Sequence, residues 1–300
     1  MKFITFWHND QQKTGVVDGE LVIDVQQAER QKIGDVTVRG HLLDWIEKGE
    51  SYLNRIDEIV QWAQDQKQGQ FLYELKHVRL AAPIPRPRKN IFCIGKNYAD
   101  HAKELGSAAD IPEHPMVFSK PPTTVTGPEM PVLLHSEVTD SLDYEGELAV
   151  VIGKQGKGIS KQEAYEYVFG YTIINDVTAR DLQQRHKQYL LGKSLDSACP
   201  MGPYLVHKSE VANPHSLKIE TKINGEVRQS ANTEQMIFDI PTLISTISSG
   251  TTLEPGDVIA TGTPAGVGKG MKPPQYLRDG DIMEITIESL GTLKNTVSGE

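Results

Sequence analysis

The sequence predicts an α+β fold that is mostly β, with a small N-terminal module ahead of a larger domain. Short runs of β-branched and aromatic residues, punctuated by Gly, Asn, Asp and Pro, recur along the 300 residues. Helical spacing of apolar residues is confined to a few segments. A proline cluster, AAPIPRPRKN at residues 81–90, interrupts both patterns, because proline can neither continue a helix nor sit in a central strand.

From the N-terminus, KFITFWH, TGVVDG and ELVIDV read as a strand meander. Leu53, Ile56, Ile59, Val60 and Ala63 then trace one face of an amphipathic helix. Residues 1–80 therefore form the small α+β module, 81–90 the linker and 91–300 the main domain. The main domain opens with the strand NIFCIG, the helix KNYADHAKELG and the strand MVFSK. PPTTVTGPEMP is a loop and DYEGELAVVIG a strand. Ser160 and Glu163 form a capping box that opens a short helix to about Val168. YTIIND, GPYLVH, LKIETKING, EVRQSAN, DVIATG, DIMEITIESLG and TLKNTVS are further strands, with a hairpin at NGE, 224–226.

Composition bounds the function. The chain is 38% hydrophobic and 24% charged, ordinary for a globular protein. A net charge of −9 argues against nucleic acid as a partner, since phosphate binding needs a basic surface. Two cysteines, Cys93 and Cys199, without CxxC spacing exclude a disulfide framework or a zinc cluster. No run approaches the roughly 20 apolar residues of a membrane span, so no membrane insertion is expected. The expected compartment is the cytoplasm. TGTPAGVGKG at 261–270 imitates a phosphate loop, but its glycine spacing is one residue too long and Gly270 replaces the Ser or Thr. It reads as a glycine turn.

Glu145 and Glu147 stand two residues apart before an apolar run. In a strand they project to one face with Cα atoms about 6.5 Å apart, where like charges repel. A divalent cation resolves this, with Asp176 at the end of YTIIND as third ligand. Three hard oxygens suit Mg²⁺ or Mn²⁺ and suit Zn²⁺ poorly. The alternative is the solvated face of an edge strand. His101 and Glu104, at i and i+3, share a helix face, where a glutamate orients an imidazole that can deprotonate water. The alternative is a surface pair. A lone lysine such as Lys193 reads as surface decoration, and Arg180 beside Asp181 as a structural contact.

NYADHAKE, DYEGELAVVIG, NDVTARDLQ, LGKSLDSACPMGP and TGTPAGVG, in this order, resemble the fumarylacetoacetate hydrolase family over residues 90–297. The likeness is greatest to the branch acting on oxaloacetate and acylpyruvates. The resemblance implies a β-roll catalytic domain, usually a homodimer, with Mg²⁺ or Mn²⁺ on Glu145, Glu147 and Asp176. It implies that His101 and Glu104 are a catalytic pair on a mobile lid and that Lys193 is the active-site lysine. Arg180 and Gln183 match positions near the substrate, and Thr263 a residue that holds its carboxylate. Lys96 stands where some relatives have arginine, keeping the charge without the bidentate fork. The expected activity is metal-dependent decarboxylation of oxaloacetate through a stabilised enolate, giving pyruvate and CO₂. Acylpyruvate hydrolysis is the alternative, followed by isomerisation or hydration of a 2-hydroxy-dienoate. A non-enzymatic scaffold, with the N-terminal module contacting a protein partner, is the reading from another class.

Overall fold

The computed structural model describes residues 1–66 and 68–299. It is strand-dominated α+β, as the sequence predicts. β1 (Lys2–His8), β2 (Gln11–Asp18) and β3 (Leu21–Asp24) make the antiparallel meander. The third strand stops at Asp24 because that side chain becomes a helix cap. Its Oδ1 accepts the Gln27 N–H at 3.0 Å and opens α1 (Val25–Ile33). α2 (Leu42–Lys48) and α3 (Glu50–Gln64) follow. α3 is the helix that the spacing predicts, and it buries Ile56, Ile59, Val60 and Ala63. β4 (Leu72–Glu74) and β5 (Arg79–Ala81) precede the proline segment.

The rest begins with β6 (Ile91–Gly95), α4 (Ala99–Leu105) and β7 (Met116–Lys120). The short strands β8 (Val125–Thr126), β9 (Val132–Leu133) and β10 (Leu142–Asp143) lead to β11 (Gly146–Ile152) and β12 (Val168–Asn175). Between the last two, the expected capping box is only half made: the Glu163 N–H donates to Ser160 Oγ at 3.3 Å, but the Glu163 carboxylate accepts the Ser160 hydroxyl at 2.5 Å in place of a backbone N–H. Only a 3-10 turn over Ala164–Tyr167 follows, because Val168 already belongs to β12. Next come β13 (Thr178–Ala179), α5 (Arg180–Arg185), β14 (Cys199–His207) and the hairpin of β15 (Lys218–Ile223) and β16 (Glu226–Asn232). Asn224 and Gly225 turn that hairpin with φ of 51° and 80°. α6 (Ile240–Ser248), β17 (Val258–Ala260), β18 (Ile282–Ile287) and β19 (Gly291–Ser298) complete the chain.

The strands form two main sheets. The larger runs β4-β3-β2-β1-β14-β12-β11-β17-β6-β7, with β5 on β1 and β8 on β14. The smaller runs β16-β15-β18-β19-β9. β11 is buried on both faces, which explains its unbroken apolar run. Leu148, Val150 and Ile152 pack with α6 and with Ile219, Ile285 and Leu293 of the smaller sheet. Ala149 and Val151 face the other way, into a core shared with Phe3, Trp45 and Ile56. Glu145 and Glu147 have the parity of Ala149 and Val151, so they point into the protein on that second face.

The N-terminal meander joins the larger sheet at β14, with Lys2 opposite Val206 and Phe3 opposite Leu205. Phe3 and Phe169 rings lie 5.5 Å apart across this seam. His207 closes it: its N–H donates to Met1 O at 3.0 Å and its ring stands edge-on to Phe169. Burial, the nearby N-terminal amine and Lys208 push the His207 imidazole down to about 4. The ordinary value is about 6.5, so below that pH the unfolded chain binds a proton that the folded chain refuses. Stability is therefore full above about pH 6.5 and falls as pH drops toward 4. Replacing His207 with Gln is expected to flatten that fall in melting temperature; an unchanged acid slope would count against the assignment.

Candidate metal centre and active site

Strand register brings the acidic residues together. β11 pairs antiparallel with β12, Gly146 opposite Asn175 and Glu147 opposite Ile174. One residue beyond, the Asp176 N–H donates to Glu145 O at 2.8 Å, and Asn175 Oδ1 accepts the Glu145 N–H at 2.9 Å. Glu145, Glu147 and Asp176 thus converge, with one oxygen of each within 4.8 Å of the others. All three are buried, at 5%, 1% and 0% exposure, so the solvated-edge alternative fails.

The charges are answered unequally. Lys193 Nζ donates to Glu145 Oε2 and Asp176 Oδ2, both at 2.7 Å. Arg180 Nη1 lies 2.7 Å from Glu145 Oε1, and its Nε donates to Asp143 Oδ2 at 2.8 Å. Lys120, wholly buried, places Nζ 2.8 Å from Asp176 Oδ1 and donates to Val177 O at 2.9 Å. Burial opposes ionisation of Glu145, but Lys193, Arg180 and His101 hold its pKa far below the usual carboxylate range. Among the described residues, Glu147 has no cation within ion-pair distance. It accepts one hydrogen bond, from the Gly262 N–H at 2.8 Å. Burial, Asp176 and Glu145 push its pKa well up. Burial also opposes the Lys193 charge, but Asp176 and Glu145 outweigh it and hold the ammonium protonated.

These residues fit a hard divalent cation. The donor set is carboxylate oxygen throughout, Glu147 lacks a counter-charge, and Asp176 Oδ1 makes no well-aligned hydrogen bond despite its ion pair. Four buried carboxylates, counting Asp143, meet three buried cations, Lys120, Arg180 and Lys193. A divalent cation turns that single negative excess into a single positive one, a suitable floor for an anionic substrate.

His101 projects from α4 toward the same cavity and is 4% exposed. Its Nδ1 lies 2.8 Å from Glu104 Oε1, so the pair is formed and is not a surface decoration. The glycine turn at 262–270 holds the pair from behind. Its Gly266 N–H donates to Glu104 Oε2 at 2.9 Å, and its Gly268 and Lys269 N–H groups donate to Asp143 at 2.8 and 3.0 Å. With Gly262 on Glu147, one loop cradles three carboxylates through main-chain N–H groups, as phosphate loops cradle phosphates. Gly266 has φ of 106°, and a Cβ there would lie 1.9 Å from Arg228 O. Gly266→Ala is therefore expected to cost about 3 kcal/mol or more in stability; a melting temperature within a degree or so of the parent would refute the cradle's rigidity.

The cavity above the carboxylates has a volume of about 390 Å³. Lys96, Gln183, Thr263 and Lys269 line it with His101 and Lys193. Lys96 sits at φ 53° and pairs with Asp110 at 3.2 Å. Gln183 Oε1 accepts weakly from Arg180 Nη1 at 3.4 Å. The Thr263 hydroxyl is already engaged, donating to Gly146 O at 2.9 Å and accepting from Gln229 Nε2 at 2.7 Å. Its single proton is used within the protein, so the hydroxyl has none left to donate to a carboxylate in the cavity. Arg180 does not pair with Asp181, which accepts from Thr139 Oγ1 at 2.5 Å.

Residues 90–298 match the family model described as fumarylacetoacetate (FAA) hydrolase C-terminal. The chain belongs to the fumarylacetoacetate hydrolase family. It is 57% identical over 284 residues to the oxaloacetate tautomerase YisK of Bacillus subtilis, covering 94% of each chain. Its structure resembles the fumarylacetoacetate hydrolase of psychrophilic Exiguobacterium antarcticum, with a TM-score of 0.84, 42% identity and full coverage of both chains. It also resembles the 2-hydroxyhepta-2,4-diene-1,7-dioate isomerase of Mycobacterium marinum, with a TM-score of 0.75, 31% identity and coverage of 100% and 99%. The fumarylacetoacetate hydrolase fold, the mostly β α+β architecture expected from sequence, is thus present along the whole chain. Members of this family are enzymes, and hydrolases and isomerases occur among its relatives.

Sequence reasoning missed two residues of this charged cluster. Lys120 ends β7 before two prolines and looks like an exposed strand-end lysine, yet it is the counter-ion of Asp176. Asp143 stands two residues before Glu145, and parity alone could have found it. Its carboxylate binds the Arg180 guanidinium and accepts three main-chain N–H groups, those of Tyr144, Gly268 and Lys269.

Proposed function

We propose that this enzyme acts on oxaloacetate and interconverts its keto and enol forms by proton transfer at C3, with Mg²⁺ or Mn²⁺ held by Glu145, Glu147 and Asp176. The observation that carries the reading is the His101–Glu104 pair, buried and braced beside a carboxylate cluster bonded to Lys193. The cation, when bound, supplies Lewis acidity that favours the enolate form of a 2-oxo acid. Glu104 takes the Nδ1 proton of His101 in a hydrogen bond, which leaves Nε2 as the basic atom facing the cavity. Nε2 accepts the C3 proton, the electron pair moves into the C2–C3 bond, and negative charge develops on the C2 oxygen. Reprotonation at that oxygen gives the enol, and the reverse sequence regenerates the ketone. Lys193 is held protonated by its carboxylates, so it stabilises charge and does not exchange its proton.

Decarboxylation, the activity expected from the motifs, is the second reading. It shares the enolate but needs no base, and so gives the braced His101–Glu104 pair no task. The relative named as an oxaloacetate tautomerase supports the first reading. The proposal includes a cytoplasmic homodimer, as the family resemblance implies, and two buried free thiols support a reducing compartment. All the site residues lie within residues 91–300, the proposed catalytic domain.

The test follows the ultraviolet absorbance of enol oxaloacetate in Mn²⁺ solution with and without enzyme, alongside pyruvate formation. Accelerated loss of enol without matching pyruvate supports tautomerisation. Pyruvate formed in step favours decarboxylation, and no acceleration of either over Mn²⁺ alone rejects both.

A further inference from the structure

We propose that Lys269, with the free edge of the Arg180 guanidinium, forms an anion subsite for the second carboxylate of a short dicarboxylic 2-oxo acid, and so sets a preference for diacids over monoacids. The inference rests on the reading of the cavity as a 2-oxo acid site and assigns its distal end.

Two observations carry it independently. Lys269 is half-buried in the cavity wall, and no carboxylate among the described residues lies within ion-pair distance of its ammonium. Arg180 is 2% exposed; its Nε and Nη1 are engaged by Asp143 and Glu145, but its buried Nη2 has no partner. A buried N–H without an acceptor is costly, and a bound carboxylate would satisfy it. Burial, with Arg180 and Lys96 nearby, lowers the Lys269 pKa against the pull of Asp143 and Glu145, as expected of a cation in a site with positive charge to spare. Lys96 is answered by Asp110, and Lys187 at the cavity mouth is exposed to water, so neither offers an equivalent charge.

The subsite is also preorganised. Asp143 binds the Lys269 main-chain N–H at 3.0 Å through the same Oδ2 that accepts Arg180 Nε at 2.8 Å. One buried carboxylate therefore fixes the Arg180 guanidinium and the backbone from which the Lys269 side chain springs, so part of the ordering precedes binding. The lysine of the glycine turn, which has no phosphate to grip, faces an organic diacid instead.

The experiment compares oxaloacetate with its C4 amide, 2-oxosuccinamate, which differs in the charge of one end. Dissociation constants are measured by calorimetry on the Mn²⁺-loaded protein. The parent is expected to favour the diacid at least tenfold, Lys269→Met and Lys269→Gln to lose at least tenfold of that ratio, and Lys269→Arg to keep it. No preference in the parent, or an unchanged ratio in either neutral variant, overturns the subsite. A parent that prefers the diacid but fails to enolise it would reject the tautomerase reading and leave the subsite standing.

Discussion

Glu147→Gln is expected to abolish metal-dependent turnover and, at the same time, to raise the melting temperature of the metal-free protein. The two effects have one cause. Glu147 is a buried carboxylate with no cation of its own, pushed toward protonation by burial and by Asp176 and Glu145. Removing its charge relieves repulsion on the order of 1–3 kcal/mol, or a few degrees in melting temperature. The loss of one of three anionic ligands should weaken Mn²⁺ binding by about 100-fold or more. The pH sign follows from the raised pKa. Above the unfolded value of about 4.3, the unfolded chain gives up this proton while the folded, metal-free chain keeps it. Stability from this group is thus present at low pH and drains away as pH rises toward the folded pKa. Melting curves of chelator-treated parent and variant at about pH 5 and pH 8 check this. Parallel pH dependence would sink the idea. Glu145→Ala is a poorer probe, because it strands both Lys193 and Arg180.

Lys193→Met is expected to lower the catalysed rate by about 10²–10³ while metal binding persists. The ammonium bonds to carboxylates of Glu145 and Asp176, two of the three residues proposed to hold the metal. Its loss leaves these carboxylates with Arg180 and Lys120 alone, at a cost of about 3–5 kcal/mol to the metal-free protein. Added Mn²⁺ should restore much of that, so the metal-induced rise in melting temperature should be larger in the variant. An equal rise in parent and variant would show that ammonium and cation do not depend on shared carboxylates. The rate needs Mn²⁺ alone as reference, since free divalent metal enolises oxaloacetate by the same chemistry.

What was legible in the sequence follows the range of the forces involved. Period-two alternation and glycine turns are local, and the long strands came out close to their true bounds. The amphipathic helix α3 was equally plain. α6 was missed, although Asp239 accepts the Thr242 N–H at 2.8 Å, a proline stands in its first turn and Ile240, Leu243, Ile244 and Ile247 keep helical spacing. The convergence of the three carboxylates was readable because strand parity fixes where Glu145 and Glu147 point. Asp143 shares that parity, but Lys120 and Lys269 were not readable, because their contacts join segments 57 and 126 residues apart. The glycine turn was rightly read as a turn, but its N–H targets cannot be seen without the third dimension.

The seam at β14 bears on how this protein could be cut or tagged. Shorn of residues 1–90, the remaining chain would present the β14 edge bare, with Phe169, Met201 and Leu205 uncovered beside it. An exposed apolar edge of that kind invites strand-to-strand aggregation. The Met1 amine is itself tied to Glu210 at 2.9 Å, so a fusion partner grafted at the front would pull at this hem. A solubility tag belongs at the other end, where β19 runs out at Ser298.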